Sequence, residues 1–211
     1  MKVFKILLLI LLIYSPIFAT TKSYLIKNKC CSQLYKLNTS NPGKLEEFRI
    51  FFNRYGCELE ISEVDLDEVD SDPLTVITHK ASQLDERILV EDTSLDIEGA
   101  DVGINVRWLI DDLEKYLGKK AVWTVLLAYR LDDQVHIFKG EVQGTIVQLR
   151  SNGGFGFDPY FLPNGSTKTL AEEKPDQFNA RSLAVEALMN NQRFVTRSPL
   201  YQWDGSWQKH D

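Results

Sequence analysis

An α/β domain built on a mixed sheet is the fold class this sequence predicts, and three observations predict it. Short apolar runs alternate with amphipathic helical stretches from Leu34 to Val90. Two long β-rich runs, Ala121–Arg130 and Val135–Leu149, meet at an Asp132-Asp133 turn. An amphipathic helix then covers roughly residues 179–193. Strand–helix alternation implies parallel strands joined by crossovers, while two long strands joined by a tight turn pair antiparallel.

The elements follow in order. Leu34–Leu37 reads as a first strand. Leu45, Phe48, Phe51, Phe52 and Tyr55 recur at helical spacing, Asn41 is a suitable N-cap, and Gly56 stands where a left-handed C-terminal cap is expected. Leu59–Val64 alternates as a second strand. Asp72-Pro73 starts another helix, with Pro at its first position; Leu74, Ile77, Ala81 and Leu84 line its apolar face, and Lys80 lies between them. Ile88–Val90 is a compact strand running into Glu91-Asp92, and Trp108–Leu117 reads as helical up to Gly118.

The 211 residues, 44% hydrophobic, suffice for one ordinary core. A net charge of −6 lacks the basic face that a nucleic-acid polymer requires, so no such partner is expected. Lys2 and Lys5, the apolar run Ile6–Ile13 and small residues near Ala19 resemble an export signal, making the chain secreted, periplasmic or membrane-tethered. Membrane contact is then expected through residues 1–19 alone, if they are uncleaved. Residues 20–33 read as a linker, 34–195 as the domain and 196–211 as a C-terminal tail. Cys30, Cys31 and Cys57 form no disulfide framework, and the three histidines are isolated.

Three stretches carry chemistry. Thr39-Ser40-Asn41-Pro42-Gly43-Lys44 opens a helix, where backbone N–H groups, the helix dipole and an ammonium favour phosphate. It is not a P-loop: Asn38 stands where the first glycine is needed, and Leu45 where a magnesium-binding hydroxyl is needed. Glu91-Asp92-Thr93-Ser94 places carboxylates and hydroxyls after an apolar strand. Strand alternation sends neighbouring side chains to opposite faces, so both carboxylates share one site only if the strand bends or ends near Thr93-Ser94. Glu68, in the acidic stretch Asp65–Glu68, is a further candidate for Mg²⁺, which needs few carboxylates beside phosphate oxygens and water. Gly154-Phe155-Gly156-Phe157-Asp158-Pro159 offers aromatics to a flat base. Together the three describe a nucleotide hydrolase.

These stretches, with Lys168-Thr169-Leu170-Ala171-Glu172, resemble in order and spacing the inosine/xanthosine triphosphate pyrophosphatases, the Ham1-like family, over about residues 34–193. The resemblance implies an elongated α/β domain with a long curved sheet and homodimeric assembly. It implies Mg²⁺-dependent conversion of non-standard purine triphosphates to monophosphate and pyrophosphate, and a cytoplasmic location in place of export. Thr39, Ser40, Asn41, Lys44, Lys80, Thr93 and Arg107 are the implied phosphate contacts. Glu68 and Asp92 are the implied metal ligands, with Asp92 and Glu91 catalytic. The implied base side comprises Phe155, Gly156, Phe157, Asp158, Phe178, Asn179, Arg181 and Ser182. Here the chain departs from the family: Phe178, Leu183 and Ala184 stand where it has Lys, His and Arg, so altered or relaxed base selection is expected. The rival reading is a non-catalytic nucleotide-binding or interaction protein on the same fold.

Overall fold

The computed structural model describes residues 34–100 and 110–208. The export-signal segment, the linker and Arg107 lie outside the described residues. Strands β1 (Tyr35–Asn38), β2 (Leu59–Ser62), β3 (Ile88–Ile97), β4 (Lys120–Leu131), β5 (Gln134–Ile146), β6 (Phe161–Pro163) and β7 (Val195–Arg197) form one sheet. Its order is β2-β1-β3-β4-β5-β6, with β7 also on β5. β1 runs parallel to β2 and β3, and every other pairing is antiparallel. The chain is thus α/β with a mixed sheet.

Helices α1 (Pro42–Arg54) and α3 (Ala180–Met189) cover one face, over a core that includes Phe48, Phe52, Leu89, Trp123, Phe138 and Val185. Helix α2 (Pro73–Ser82) covers the other face, over Val90, Leu126, Ala128 and Ile137. Strand alternation sorts the two sets: Leu89 and Leu95 point toward α1 and α3, Val90 toward α2. α3 approaches β5 very closely at Gly140. A Cβ there would stand 1.9 Å from the Ala180 carbonyl oxygen, so only glycine fits.

Local signals account for the boundaries. Asn41 caps α1 by accepting from the Lys44 N–H, and Asp72 caps α2 by accepting from the Leu74 and Thr75 N–H groups. Gly56 is left-handed at φ 68°, and Asp132 and Asp133, at φ 48° and 57°, make the two-residue hairpin turn. Several assignments differ from expectation, β5 stopping at Ile146 rather than Leu149 among them. β2 stops at Ser62, because Val64 is taken up by the Asn38 side chain through its N–H (2.8 Å) and carbonyl (3.0 Å). β3 does not end at Thr93: it continues to Ile97, since β4 pairs with it along its whole length from Val90. Residues Ile110–Tyr116 form a 3₁₀ rather than an α-helix. α3 ends at Met189, with Asn191 left-handed at φ 53°.

Among the described residues, no helix is long and apolar enough to cross a membrane.

Candidate active site

The site begins where a strand stops. β1 pairs with β3 through Lys36, Leu37 and Asn38, opposite Ile88, Leu89 and Val90. The chain then turns away through Thr39–Asn41 into α1, so Glu91 and Asp92 lie just past the carboxyl end of β1, where α/β sheets commonly open a binding crevice. The turn is fixed from within: Thr39 N–H donates to Ser62 O (3.1 Å), and Asn41 N–H donates to Thr39 Oγ1 (3.2 Å). Ser40 is exposed in this turn.

Because β3 does not bend, its two carboxylates occupy opposite faces. On the α1–α3 face, Lys44 Nζ donates to Glu91 Oε2 at 2.7 Å, and Thr93 Oγ1 donates to Glu91 Oε1. Arg181 joins them. Its Nη1 donates to Glu47 Oε2 (2.8 Å), its Nη2 to Thr93 Oγ1 (3.4 Å), and its Nε stands 3.8 Å from Glu91 Oε1. Burial pushes the Glu91 carboxyl up, but Lys44 and Arg181 outweigh it and draw the pKa down to about 2.

On the α2 face, Lys80 Nζ donates to Glu68 Oε1 (2.8 Å), to the Glu91 carbonyl oxygen (3.2 Å) and to Asp92 Oδ1 (3.4 Å). Asp92 Oδ2 is buried without a hydrogen-bond partner. Burial pushes the Asp92 carboxyl up, Glu91 and Glu68 add to this, and Lys80 only partly offsets it, leaving a pKa of about 6. Burial opposes the Lys80 ammonium, yet Asp92 and Glu68 hold its pKa above the ordinary lysine value. Among the described residues no three potential ligands cluster. Glu68 and Asp92 nevertheless share the Lys80 ammonium on this side, and one buried Asp92 oxygen lacks a partner. That suits Mg²⁺, an ion that needs few carboxylates beside phosphate oxygens and water.

The glycine-rich loop reaches the same region through Phe155. A Cβ on Gly43 would stand 3.7 Å from the Phe155 ring, which is 47% exposed. Gly154 and Gly156, at φ 85° and 60°, give the loop its path. Other residues assigned to the base side have different surroundings. Phe157 is buried edge-on to Trp123, and Asp158 is buried, accepting from the Phe155 N–H (2.9 Å) and pairing with Lys174 at 2.6 Å. Asn179 is the N-cap of α3, accepting from the Arg181 and Ser182 N–H groups. Phe178 and Leu183 pack half-buried on the α1–α3 core, and Ala184 is fully buried against β5.

Two residues escaped the sequence reading. Glu47 pairs with both Arg181 and Lys174, and Lys174 also lies 5.3 Å from the centre of the Trp123 ring. Glu47 sits three residues after Lys44 on α1, a spacing that puts it on the same helix face. Lys174 lies in an irregular loop, and no local pattern marks it.

The fold and site define a class: an α/β domain with a carboxylate–ammonium cluster beside a helix N-terminus, at the end of a parallel strand. The sequence model of the Ham1 family matches residues 36–192, and this chain belongs to the Ham1 family. It is 32% identical over 167 residues to the dITP/XTP pyrophosphatase of Thermococcus kodakarensis, covering 71% of this chain and 90% of that protein. It is 32% identical over 167 residues to the inosine triphosphate pyrophosphatase of Yarrowia lipolytica, covering 71% of this chain and 89% of the relative. A solved nucleoside-triphosphatase/dITP/XTP pyrophosphatase of Mycobacterium abscessus superposes with a TM-score of 0.49 at 18% identity, covering 75% and 95% of the two chains.

Proposed function

We propose that this chain is a Mg²⁺-dependent nucleoside triphosphate pyrophosphatase that cleaves purine triphosphates to monophosphate and pyrophosphate. The observation that carries the reading is the buried, unpartnered Asp92 Oδ2 beside Glu68 and Lys80. Membership of the Ham1 family and the names of the relatives support it.

Glu68 and Asp92 are the residues that would hold Mg²⁺, which neutralises phosphate charge and orients or acidifies a water when bound. A water oxygen forms a bond to the α-phosphorus while the bond to the α–β bridging oxygen breaks, and the proton passes to Asp92. Asp92 is better placed for that role than Glu91: one of its oxygens, Oδ2, has no hydrogen-bond partner, whereas Lys44 and Thr93 occupy both oxygens of Glu91. Glu91 instead orients Lys44 and Arg181. Lys44, Lys80 and the α1 N-terminus, with Thr39, Ser40 and Asn41, stabilise the charge developing on the departing pyrophosphate.

On the base side, Phe155 supplies a stacking face over Gly43, whereas Arg181 is committed to Glu47 and Thr93. Base selection is therefore relaxed. The chain assembles as a homodimer, which light scattering tests, and residues 1–19 are an export signal, which N-terminal sequencing of the mature protein tests. The activity itself is tested by pyrophosphate release from ITP, XTP, dUTP, GTP and ATP with Mg²⁺. Release from none of them overturns the enzyme reading.

A further inference from the structure

Glu68 lies in the connection between β2 and α2, outside every helix and strand. Its position depends on how that connection is pinned. One attachment is the Asn38 side chain on Val64, and another is Leu66, which packs on the α2-side core. Val64–Asp67 form one wall of an open cleft of about 900 Å³, whose other walls are His79 and Gln83 on the α2 side and the tail around Tyr201–Asp204 and Trp207.

The third attachment comes from the opposite end of the chain. After β7 pairs with β5, the tail crosses α2, with Leu200 N–H donating to Ser82 Oγ (2.8 Å) and Gln83 Nε2 donating to Leu200 O (3.4 Å) and Tyr201 O (3.3 Å). It then pairs with the Glu68 connection. Gln208 N–H donates to the Glu68 carbonyl at 2.8 Å, Gln208 Nε2 to the Val69 carbonyl at 3.1 Å, and Asp70 N–H to the Ser206 carbonyl at 2.9 Å. Val69 and Trp207 form an antiparallel bridge. The Trp207 ring meets the His79 ring edge-on at 5.5 Å, and His79 directly precedes Lys80, the ammonium that holds Glu68. These residues lie beyond the family match, which ends at residue 192.

We infer that the C-terminal segment Ser206–Gln208 is a positioning element for the metal site, clamping the main chain of Glu68 so that its carboxylate faces Asp92. Trp207 and Gln208 touch neither substrate nor metal; they act through Glu68. The inference rests on the proposed Mg²⁺ role of Glu68 and Asp92, and adds that this family member completes its metal site with its own tail.

The test is Mn²⁺ binding to the full chain, read by electron paramagnetic resonance in the presence of a non-hydrolysable α,β-imido analogue of ITP. Gln208→Pro removes the N–H that Glu68 O accepts, whereas Gln208→Ala keeps it. Trp207→Ala removes the contact to His79, and Trp207→Phe keeps an aromatic ring there. Gln208→Pro and Trp207→Ala are each expected to weaken Mn²⁺ binding at least ~10-fold, the usual lower effect of losing a residue that orients a metal ligand. Gln208→Ala and Trp207→Phe should largely preserve it. In a Glu68→Gln background, Gln208→Pro should add no further loss, because both changes act on one group. Unchanged affinity, a fully additive loss, or a Gln208→Pro protein that no longer folds each overturn the clamp. Wild-type protein that binds no Mn²⁺ overturns the metal reading itself, whereas wild-type binding that the variants share overturns the clamp alone.

Discussion

Lys80 and Asp92 face each other across 3.4 Å on the α2 side of β3, yet only one carboxylate oxygen meets the ammonium; the other, Oδ2, is buried and unpartnered. A buried polar atom without a partner is costly, and it persists where function requires it. Asp92→Asn keeps the shape and removes both the negative charge and the proton acceptor. Pyrophosphate release should fall at least ~100-fold, the scale of lost general acid–base help, with circular dichroism unchanged. Near-normal turnover in a folded variant would sink the mechanism.

The same carboxyl makes stability depend on pH in a definite direction. Asp92 titrates at about 6 in the folded chain against 3.8 for an ordinary aspartate. Between those values the folded state binds more protons than the unfolded one, so Asp92's contribution to stability falls as pH rises. Glu91, drawn from 4.5 to about 2, works the other way: its contribution is present above pH 4.5 and is lost as pH falls toward 2. From pH 5 to 7 the slope of this pair therefore belongs to Asp92. Urea unfolding in EDTA should show the wild type losing roughly 1 kcal/mol relative to Asp92→Asn over that interval, since one pKa unit is worth about 1.4 kcal/mol. A difference that is flat or reversed contradicts the assignment.

Much of this architecture was legible because its signals are local. Asn41 and Asp72 mark their helices by residue type alone, and the Asp132-Asp133 turn needs only its own backbone. Alternation along β3 made a shared site for Glu91 and Asp92 conditional on the strand bending or ending near Thr93; that it instead runs on to Ile97 and parts them depends on β4, some thirty residues away. Arg181 was legible as a candidate, but its partners Glu47 and Thr93 come from α1 and β3. Lys174 and the tail at Trp207–Gln208 were illegible for the same reason, because long-range pairing writes no periodicity into the segments it joins.

Lys44 holds Glu91 at 2.7 Å and also stands at the start of α1, where a triphosphate would arrive. Lys44→Ala should weaken binding of a non-hydrolysable triphosphate at least ~10-fold, the worth of one charge-assisted hydrogen bond. Inosine binding should change little, since the nucleoside carries no phosphate for the ammonium to meet. Calorimetric titration of both ligands checks this. An equal loss for the two would mean that the helix start has collapsed around an unpaired Glu91.

Discrimination between bases depends on donors that remain unpaired when the wrong base enters. Phe178 and Leu183 are apolar and half-buried, and Ala184 is sealed against β5. None of the three offers a donor to a 6-keto oxygen. Arg181 does turn inward, but its Nη1 and Nη2 are taken by Glu47 and Thr93, and it lies against the Glu91 side of the cluster. Its remaining Nε makes no hydrogen bond but is buried 3.8 Å from Glu91 Oε1, so the contact offered to a base is stacking on Phe155, and every base has a face to stack. The kcat/KM for ITP should therefore exceed that for ATP by only ~10-fold, the lower range that a purely apolar pocket achieves. Phe155→Ala should lower kcat/KM for both substrates together and leave their ratio within about twofold, because the lost contact is blind to the base. A wild-type preference for ITP of several hundredfold would require Arg181 to release Glu47 and read the base. Glu47→Gln would then change the ITP-to-ATP ratio.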